Sequence, residues 1–223
     1  MTGFEPFDGE SSNPSWDAVR QAAAIWDRPE PLVTARLPCV FTRSAEALRG
    51  LLQEHRPDVV ICVGQAAGRS DVTPERVAIN IDDARIPDNS GEQPVDEPVV
   101  PDAPTAYFST LPIKAAVSAM RSAGVPASVS QSAGTFVCNH VFYQLMHMVA
   151  GPDEADRRQI GNGVEAPTGI RAGFVHVPNS IEQAAGSGKP GLGIDVMATG
   201  LIETALAALT VEADLRIAGG AEY

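Results

Sequence analysis

Asp58–Val63 (DVVICV) is stopped by Gly64 and opens into the loop sequence GQAAGRSDVTPERVAIN. Val59, Val60, Ile61, Cys62 and Val63 are a continuous apolar run rich in β-branched residues, with no alternation that would leave one face in water. Such a run predicts a strand buried on both faces, as in a parallel sheet covered by helices. Towards the N-terminus, Ser44–His55 (SAEALRGLLQEH) places Ala45, Leu48, Leu51 and Leu52 on one helical face and ends before Pro57. Pro31–Val40 before it reads as a strand. Asn13-Pro14-Ser15 reads as a cap followed by a proline in the first turn, leading a helix with the stripe Trp16, Val19, Ala22 and Ala23. On the other side, Val77–Ile81, Ala127–Ser130 and Gly173–Val177 read as strands, and Ile113–Ala123, Asn139–Val149 and Asp195–Leu209 as helices. This alternation predicts an α/β fold, a three-layer α/β/α sandwich around a mixed, mostly parallel sheet, in one domain spanning 1–223. Asp82–Pro104 reads as an extended arm, and Gly151–Arg171 as an exposed, mobile insertion.

Composition narrows the partners. Sixteen basic against 28 acidic side chains, 16 − 28 = −12, repel phosphate backbones and anionic lipids, so neither nucleic acid nor membrane is expected. No apolar run approaches the roughly 20 residues of a membrane span, and MTGFEPFDGE lacks the basic and apolar regions of a signal peptide. A cytoplasmic protein is expected. Cys39, Cys62 and Cys138 are widely separated without metal-ligand spacing, so neither a disulfide framework nor a zinc site is indicated.

In AGTFVCNHVFYQLMH, Cys138 follows a small turn and stands at the start of a helix, where unpaired amides and the positive dipole end favour a thiolate and could receive an oxyanion. A buried structural cysteine is the competing reading, which Cys62 fits well. Of four histidines, His55 closes a helix beside Pro57, His140 diverges from Cys138 by about 200° on the same helix, and His147 lies further along it. Only His176, at the end of the strand-like AGFVHVPN, comes from a separate element. A third group would orient the imidazole, and Glu75, between Pro74 and Arg76, is the leading acid. A surface pair with Arg76 is its alternative, and Asp71, Asp82 and Asp83 compete.

Four blocks, TGFEPFDG with NPSW, VGQAAGRSDVTPERVAINIDDARIPDNSGEQP, AGTFVCNHVFYQLMH and GFVHVPN, make this chain resemble the pyroglutamyl peptidase I family over nearly its whole length. The resemblance implies a cytosolic cysteine exopeptidase that removes N-terminal 5-oxoproline from peptides, with Cys138 as nucleophile, His176 as general base and Glu75 as third residue. It also implies an open α/β/α sandwich, no metal or cofactor, and a homotetramer or other homo-oligomer such as a dimer. An uncharged lactam needs an apolar slot with a few amide partners. Phe4 and Phe7 suit its walls, Phe136 and Val137 could close it, and backbone groups of Gln65 could bond the lactam. The resemblance points to the same positions and adds Asn13, Ile86 and Arg85.

Three features depart from the family pattern. No apolar strand precedes the TGF block, so a sheet strand is expected to be missing and the loop bearing Phe4 and Phe7 poorly fixed. Cys39 stands where threonine is common, and 151–171 is longer than in many relatives. The missing strand motivates an alternative, a catalytically inactive binding or assembly homologue.

Overall fold

A computed structural model of the chain describes residues 1–150 and 169–220. In chain order the elements are β1 (Thr2–Phe4), α1 (Pro14–Ile25), β2 (Ala35–Leu37), α2 (Phe41–His55), β3 (Val59–Gln65), β4 (Thr73–Pro74), β5 (Val77–Ile79), β6 (Ala106–Phe108), α3 (Ile113–Ser122), α4 (Val137–Val149), β7 (Arg171–Val177), β8 (Asn179–Ser180), α5 (Ile181–Ala184), β9 (Gly191–Leu192) and α6 (Ile194–Thr210). The main sheet has the order β2-β1-β3-β7-β4. Its β2–β1, β1–β3 and β3–β7 pairs are parallel, and β4 runs antiparallel to β7. Small two-stranded ribbons, β5–β6 and β8–β9, lie outside it.

The DVVICV run is the centre of this sheet, and its side chains divide between two cores by strand alternation. Val60 and Cys62 join Phe142, Leu145 and Phe174 on the side of α2 and α4. Ile61 and Val63 join Val19, Met120, Met197 and Leu201 on the side of α1, α3 and α6. The same parity on β7 sends Ala172 and Phe174 towards α4, and Val175 and Val177 towards α6. His176, in step with Phe174, therefore faces the α4 layer. Each fully buried Val, Leu or Phe contributes roughly 1.5–3 kcal/mol, which makes the pattern on β3 and β7 decisive for register.

Several boundaries follow from local chemistry. Asn13 caps α1 by accepting the Ser15 amide at 3.0 Å, with Pro14 at the first helical position. α2 ends in a left-handed Arg56, φ 44°, directly before Pro57, whose ring disfavours continued helix. Ala127–Ser130 forms no strand of its own: it touches the sheet through isolated bridges, Val72↔Ala127 and Glu75↔Ser130. Pro74 has no N–H to give between those bridges, which interrupts the ladder.

The expected loss of a sheet strand is corrected. β1 is present, short but central, pairing with β2 at all three residues and with β3 at Thr2↔Cys62. Gly3 makes this possible, because a Cβ there would meet Trp16 Cα at 2.6 Å. The following loop is also firmly held. Phe4 N donates to Ser15 Oγ at 3.0 Å, Asn13 Nδ2 to Glu5 O at 3.0 Å, and Glu5 N to Leu37 O at 3.0 Å. Glu5 Oε1 accepts from Cys39 N at 3.0 Å and Asn89 Nδ2 at 2.8 Å. Of the insertion expected at 151–171, residues 151–168 lie outside the described residues, while Arg171 begins β7. No helix among the described residues is long and apolar enough to cross a membrane.

Candidate active site

β3 and β7 run side by side, and their carboxyl ends bring the chemistry together, as is usual for sites on open α/β sheets. Gly64 on β3 pairs in register with His176 on β7. Above Gly64 lies the thiol of Cys138, the second residue of α4: a Cβ on Gly64 would come within 2.7 Å of Cys138 Sγ. Strands are spaced about 4.8 Å apart, so the thiol rests one strand away from the backbone that carries His176. Gly64 is thus a site residue that sequence reading used only as a strand terminator. The signal was present, since an isolated glycine at the end of a buried strand marks close approach by another group.

His176 is 3 % exposed, and Glu75 is completely buried. His176 Nδ1 and Glu75 Oε1 are 2.7 Å apart. Glu75 does not pair with Arg76, whose Nε donates instead to Gln131 Oε1 at 2.8 Å. Its cation is Arg69, with Nη1 2.7 Å from the same Oε1. Burial works against the Glu75 carboxylate, but the His176 hydrogen bond and the Arg69 guanidinium outweigh it, and the group is held below its ordinary range. An ionised carboxylate only accepts, so Nδ1 carries the imidazole proton and Nε2 keeps a lone pair.

Burial lowers the His176 pKa from its ordinary value, only partly countered by Glu75, while Arg69 lowers it further. Burial also raises the Cys138 thiol well above its ordinary value, with Cys39, Glu75 and Cys62 adding to the effect and Arg69 opposing it. Both shifts favour the uncharged forms, thiol and imidazole, and burial of the thiol works against the thiolate that the helix start was expected to favour. Cys39 and Cys62 are both buried, their thiols pushed up to about 12 and about 11 by desolvation.

The first turn of α4 is fixed by the two residues after Cys138. Asn139 Oδ1 accepts from Ile79 N at 3.1 Å, and its Nδ2 donates to Ile79 O at 2.9 Å and Ile81 O at 3.0 Å. His140 Nδ1 lies 2.7 Å from Asp82 Oδ2, turned away from Cys138 as helical geometry requires. His147 pairs with Tyr107 OH at 2.8 Å, and His55 is exposed. No side chain caps α4 at Phe136, which leaves the first amides of the helix beside the thiol.

Half-buried Phe7 and Phe136 lie with ring centroids 6.1 Å apart, and Phe136 meets buried Phe41 edge-on at 5.4 Å. Phe4 takes a different place. It is 2 % exposed and packs at 6.3 Å against Phe174, itself 4.9 Å from the His176 ring, so it supports the catalytic layer from within the core. Val137 is fully buried at the helix start, Ile86 is half-buried, and Arg85 is exposed on the arm. Asn13 spends its side chain on the α1 cap and on the Glu5 carbonyl. Gln65 has two faces. Ala66 N donates to Val177 O at 2.9 Å, so by alternation the Gln65 amide points away from β7 towards the loop of Phe4 and Phe7. Its side chain donates to Asn179 Oδ1 at 2.8 Å and Gln183 Oε1 at 3.0 Å.

A profile of the pyroglutamyl peptidase family matches residues 1–217. The chain belongs to the pyroglutamyl peptidase family. Among curated relatives, a pyrrolidone-carboxylate peptidase of Clavibacter michiganensis is 50% identical over 220 residues, covering 99% of this chain and 96% of the relative. One from Streptomyces coelicolor is 51% identical over 225 residues, covering 100% and 98%. Among solved structures, the pyroglutamyl peptidase I from Bacillus amyloliquefaciens superposes with a TM-score of 0.86 at 43% identity, over 97% of each chain. The solved neighbour shares the α/β architecture, and the relatives match this chain over nearly its whole length, which argues against a non-catalytic homologue.

Proposed function

We propose that this chain is a cysteine exopeptidase that hydrolyses the N-terminal pyroglutamyl residue from peptides, with Cys138, His176 and Glu75 as its catalytic residues. The observation that carries this reading is the thiol seated on Gly64 beside a buried imidazole whose Nδ1 proton is held by Glu75. Pyroglutamate has neither a free amine nor a charge, so its recognition calls for apolar walls and amide partners rather than a carboxylate. Phe7 and Phe136 are the walls, Val137 and Ile86 are further apolar contacts, and the Gln65 amide is a lactam partner. Asn13 and Phe4 hold this loop in place, and Arg85, exposed on the arm, is kept as a further substrate contact.

The reaction is acyl transfer. As Cys138 Sγ attacks the pyroglutamyl carbonyl carbon, its proton passes to His176 Nε2, which the Nδ1–Glu75 bond has left as an acceptor. The first amides of α4, at Val137 and Cys138, stabilise the oxyanion. Collapse breaks the C–N bond, the imidazolium gives its proton to the leaving amine, and a thioester remains. His176 then takes a proton from water, the hydroxide attacks the thioester, and 5-oxoproline leaves with the thiol restored.

The test is product identity. A peptide headed by pyroglutamate is incubated with the reduced protein, and the products are identified by mass spectrometry. Free 5-oxoproline and a shortened peptide with a new amine, formed at equal rates with and without phosphate, are expected. An unchanged peptide would favour the non-catalytic alternative, and phosphate-dependent turnover a phosphorylase. The finer expectations, a cytoplasmic location and a homo-oligomer of four or two chains, are part of the same proposal. Exposed apolar residues Phe108 on β6 and Val95 on the arm are compatible with a second copy.

A further inference from the structure

Arg69 stands in the loop between β3 and β4 and is anchored at both guanidinium ends. Nη1 donates to Thr73 Oγ1 at 2.6 Å and to Glu75 Oε1 at 2.7 Å, and Nη2 donates to Ser132 O at 2.9 Å. The same Glu75 oxygen accepts His176 Nδ1, while Oε2 is buried without a hydrogen-bond partner. Through this one oxygen the buried Glu75 carboxylate meets both the buried imidazole and the partly exposed Arg69 guanidinium. Buried clusters favour the protonation state with least net charge, because desolvation penalises the excess. With Arg69 present, guanidinium, carboxylate and neutral imidazole sum to zero, and a proton on His176 would leave a buried net positive charge. Without Arg69, zero is reached by carboxylate with imidazolium or by carboxylic acid with neutral imidazole, so the pair holds one proton more than it does beside the guanidinium.

We propose that Arg69 is a positioning residue for the acyl-transfer step, a fixed counter-charge that holds His176 as the neutral Nδ1–H tautomer and so keeps Nε2 open to the Cys138 proton. The proposal rests on the peptidase reading of this site. The charged and titratable groups around the pair are few: Glu75 and Arg69 act on His176, and Cys39, Glu75, Arg69 and Cys62 act on Cys138. Phe174 covers the imidazole with its ring. Arg69 also ties its loop to β4 and to the segment before α4, through Thr73 and Ser132, so a purely structural role must be separated from the electrostatic one.

The separating readout is the pH profile of kcat/KM on a pyroglutamyl coumarinyl amide for the wild type, Arg69→Gln and Arg69→Lys. Removing a positive charge within about 4–6 Å of His176 moves the acid limb of Arg69→Gln upward by roughly one unit or more, with KM little changed. Arg69→Lys, which keeps the charge but loses the fork, is expected to return the limb towards the wild-type position. A profile of Arg69→Gln lowered at every pH with its acid limb unmoved would overturn the proposal. Because that variant could fail to fold, the unmutated protein supplies an independent test by NMR of ¹⁵N-labelled histidine. His176 is expected as the neutral Nδ1–H tautomer at neutral pH, and an imidazolium signal there would overturn the assignment. The NMR result does not depend on turnover, so an inactive wild type would refute the peptidase reading alone.

Discussion

At the scale of single residues, the proposed site depends on one missing side chain as much as on Cys138, His176 and Glu75. Gly64→Ala adds a Cβ where Cys138 Sγ and the Phe174 ring already lie, at 2.7 and 2.8 Å. The thiol is expected to be displaced, and misplacement by about 1 Å typically costs on the order of 100-fold in rate. Comparing kcat and melting temperature in this variant distinguishes a displaced nucleophile from a misfolded chain: a large loss of kcat with a small loss of stability is predicted. Glu75→Gln should reduce kcat by roughly 10²–10⁴-fold, because it replaces a charged, acceptor-only group with an amide whose NH2 can donate to Nδ1 and favour the wrong His176 tautomer, and should leave more activity than Cys138→Ala. Equal losses in the two variants would contradict the division of roles. Cys138 and His176 were legible in the sequence, one from its place at a helix start and the other from its place at a strand end. The upward push on the thiol pKa was not, since it depends on burial and on Cys39 and Cys62 from distant segments. Nor was Arg69: a long loop cation can reach several acids, and the neighbouring Arg76 was the nearer choice along the chain.

At the scale of elements, α4 is the part that must not move. Asn139, directly after the nucleophile, satisfies three backbone groups of Ile79 and Ile81 and so fastens the helix start to β5 and the beginning of the arm. Asn139→Ala removes the side-chain partner of Ile79 N and Ile81 O, while Ile79 O still accepts from Ile81 N at 2.9 Å, and a destabilisation of roughly 2–3 kcal/mol is expected from urea unfolding. A change below about 1 kcal/mol would show that water or a shifted helix replaces the bonds. The arm continues from this anchor to the phenylalanine loop. Asp83 N donates to Thr135 O at 3.0 Å, Phe41 N to Asp88 Oδ2 at 3.0 Å, and Asn89 Nδ2 to Pro6 O at 2.9 Å. Asp82–Pro104 was readable as an extended arm because it lacks any period, but its use as a strap between nucleophile and slot rests on contacts far apart in sequence. β1 shows the opposite limit. Thr2–Phe4 is too short to carry a strand pattern, and it becomes a strand because β2 and β3 flank it and Gly3 lets α1 approach.

For the whole molecule, the buried charge cluster links stability to pH. The folded-state pKa values of His176 and Glu75 both lie below their ordinary values of 6.5 and 4.5, so the unfolded chain binds protons more readily. The contribution of neutral His176 is complete above about pH 6.5 and is lost as pH falls towards its lower folded value, and that of Glu75 follows at still lower pH. Common surface charges cancel if the parent is compared with His176→Gln. The parent's advantage in melting temperature is predicted to shrink on acidification below pH 6.5, and an advantage independent of pH would contradict a neutral buried imidazole. Light scattering at micromolar concentration is expected to give a mass of two or four chains, and a monomer would refute the proposed assembly. The α/β sandwich itself was legible from the DVVICV strand and the helical stripes around it, because burial on both faces leaves few alternatives. The central claim is that Cys138 attacks the pyroglutamyl carbonyl. It is tested most directly by the rate of amine release from a fluorogenic pyroglutamyl amide, under reducing conditions, by the parent beside Cys138→Ala. Turnover by the parent and only background release by the variant is the predicted result, and equal rates from the two would contradict it.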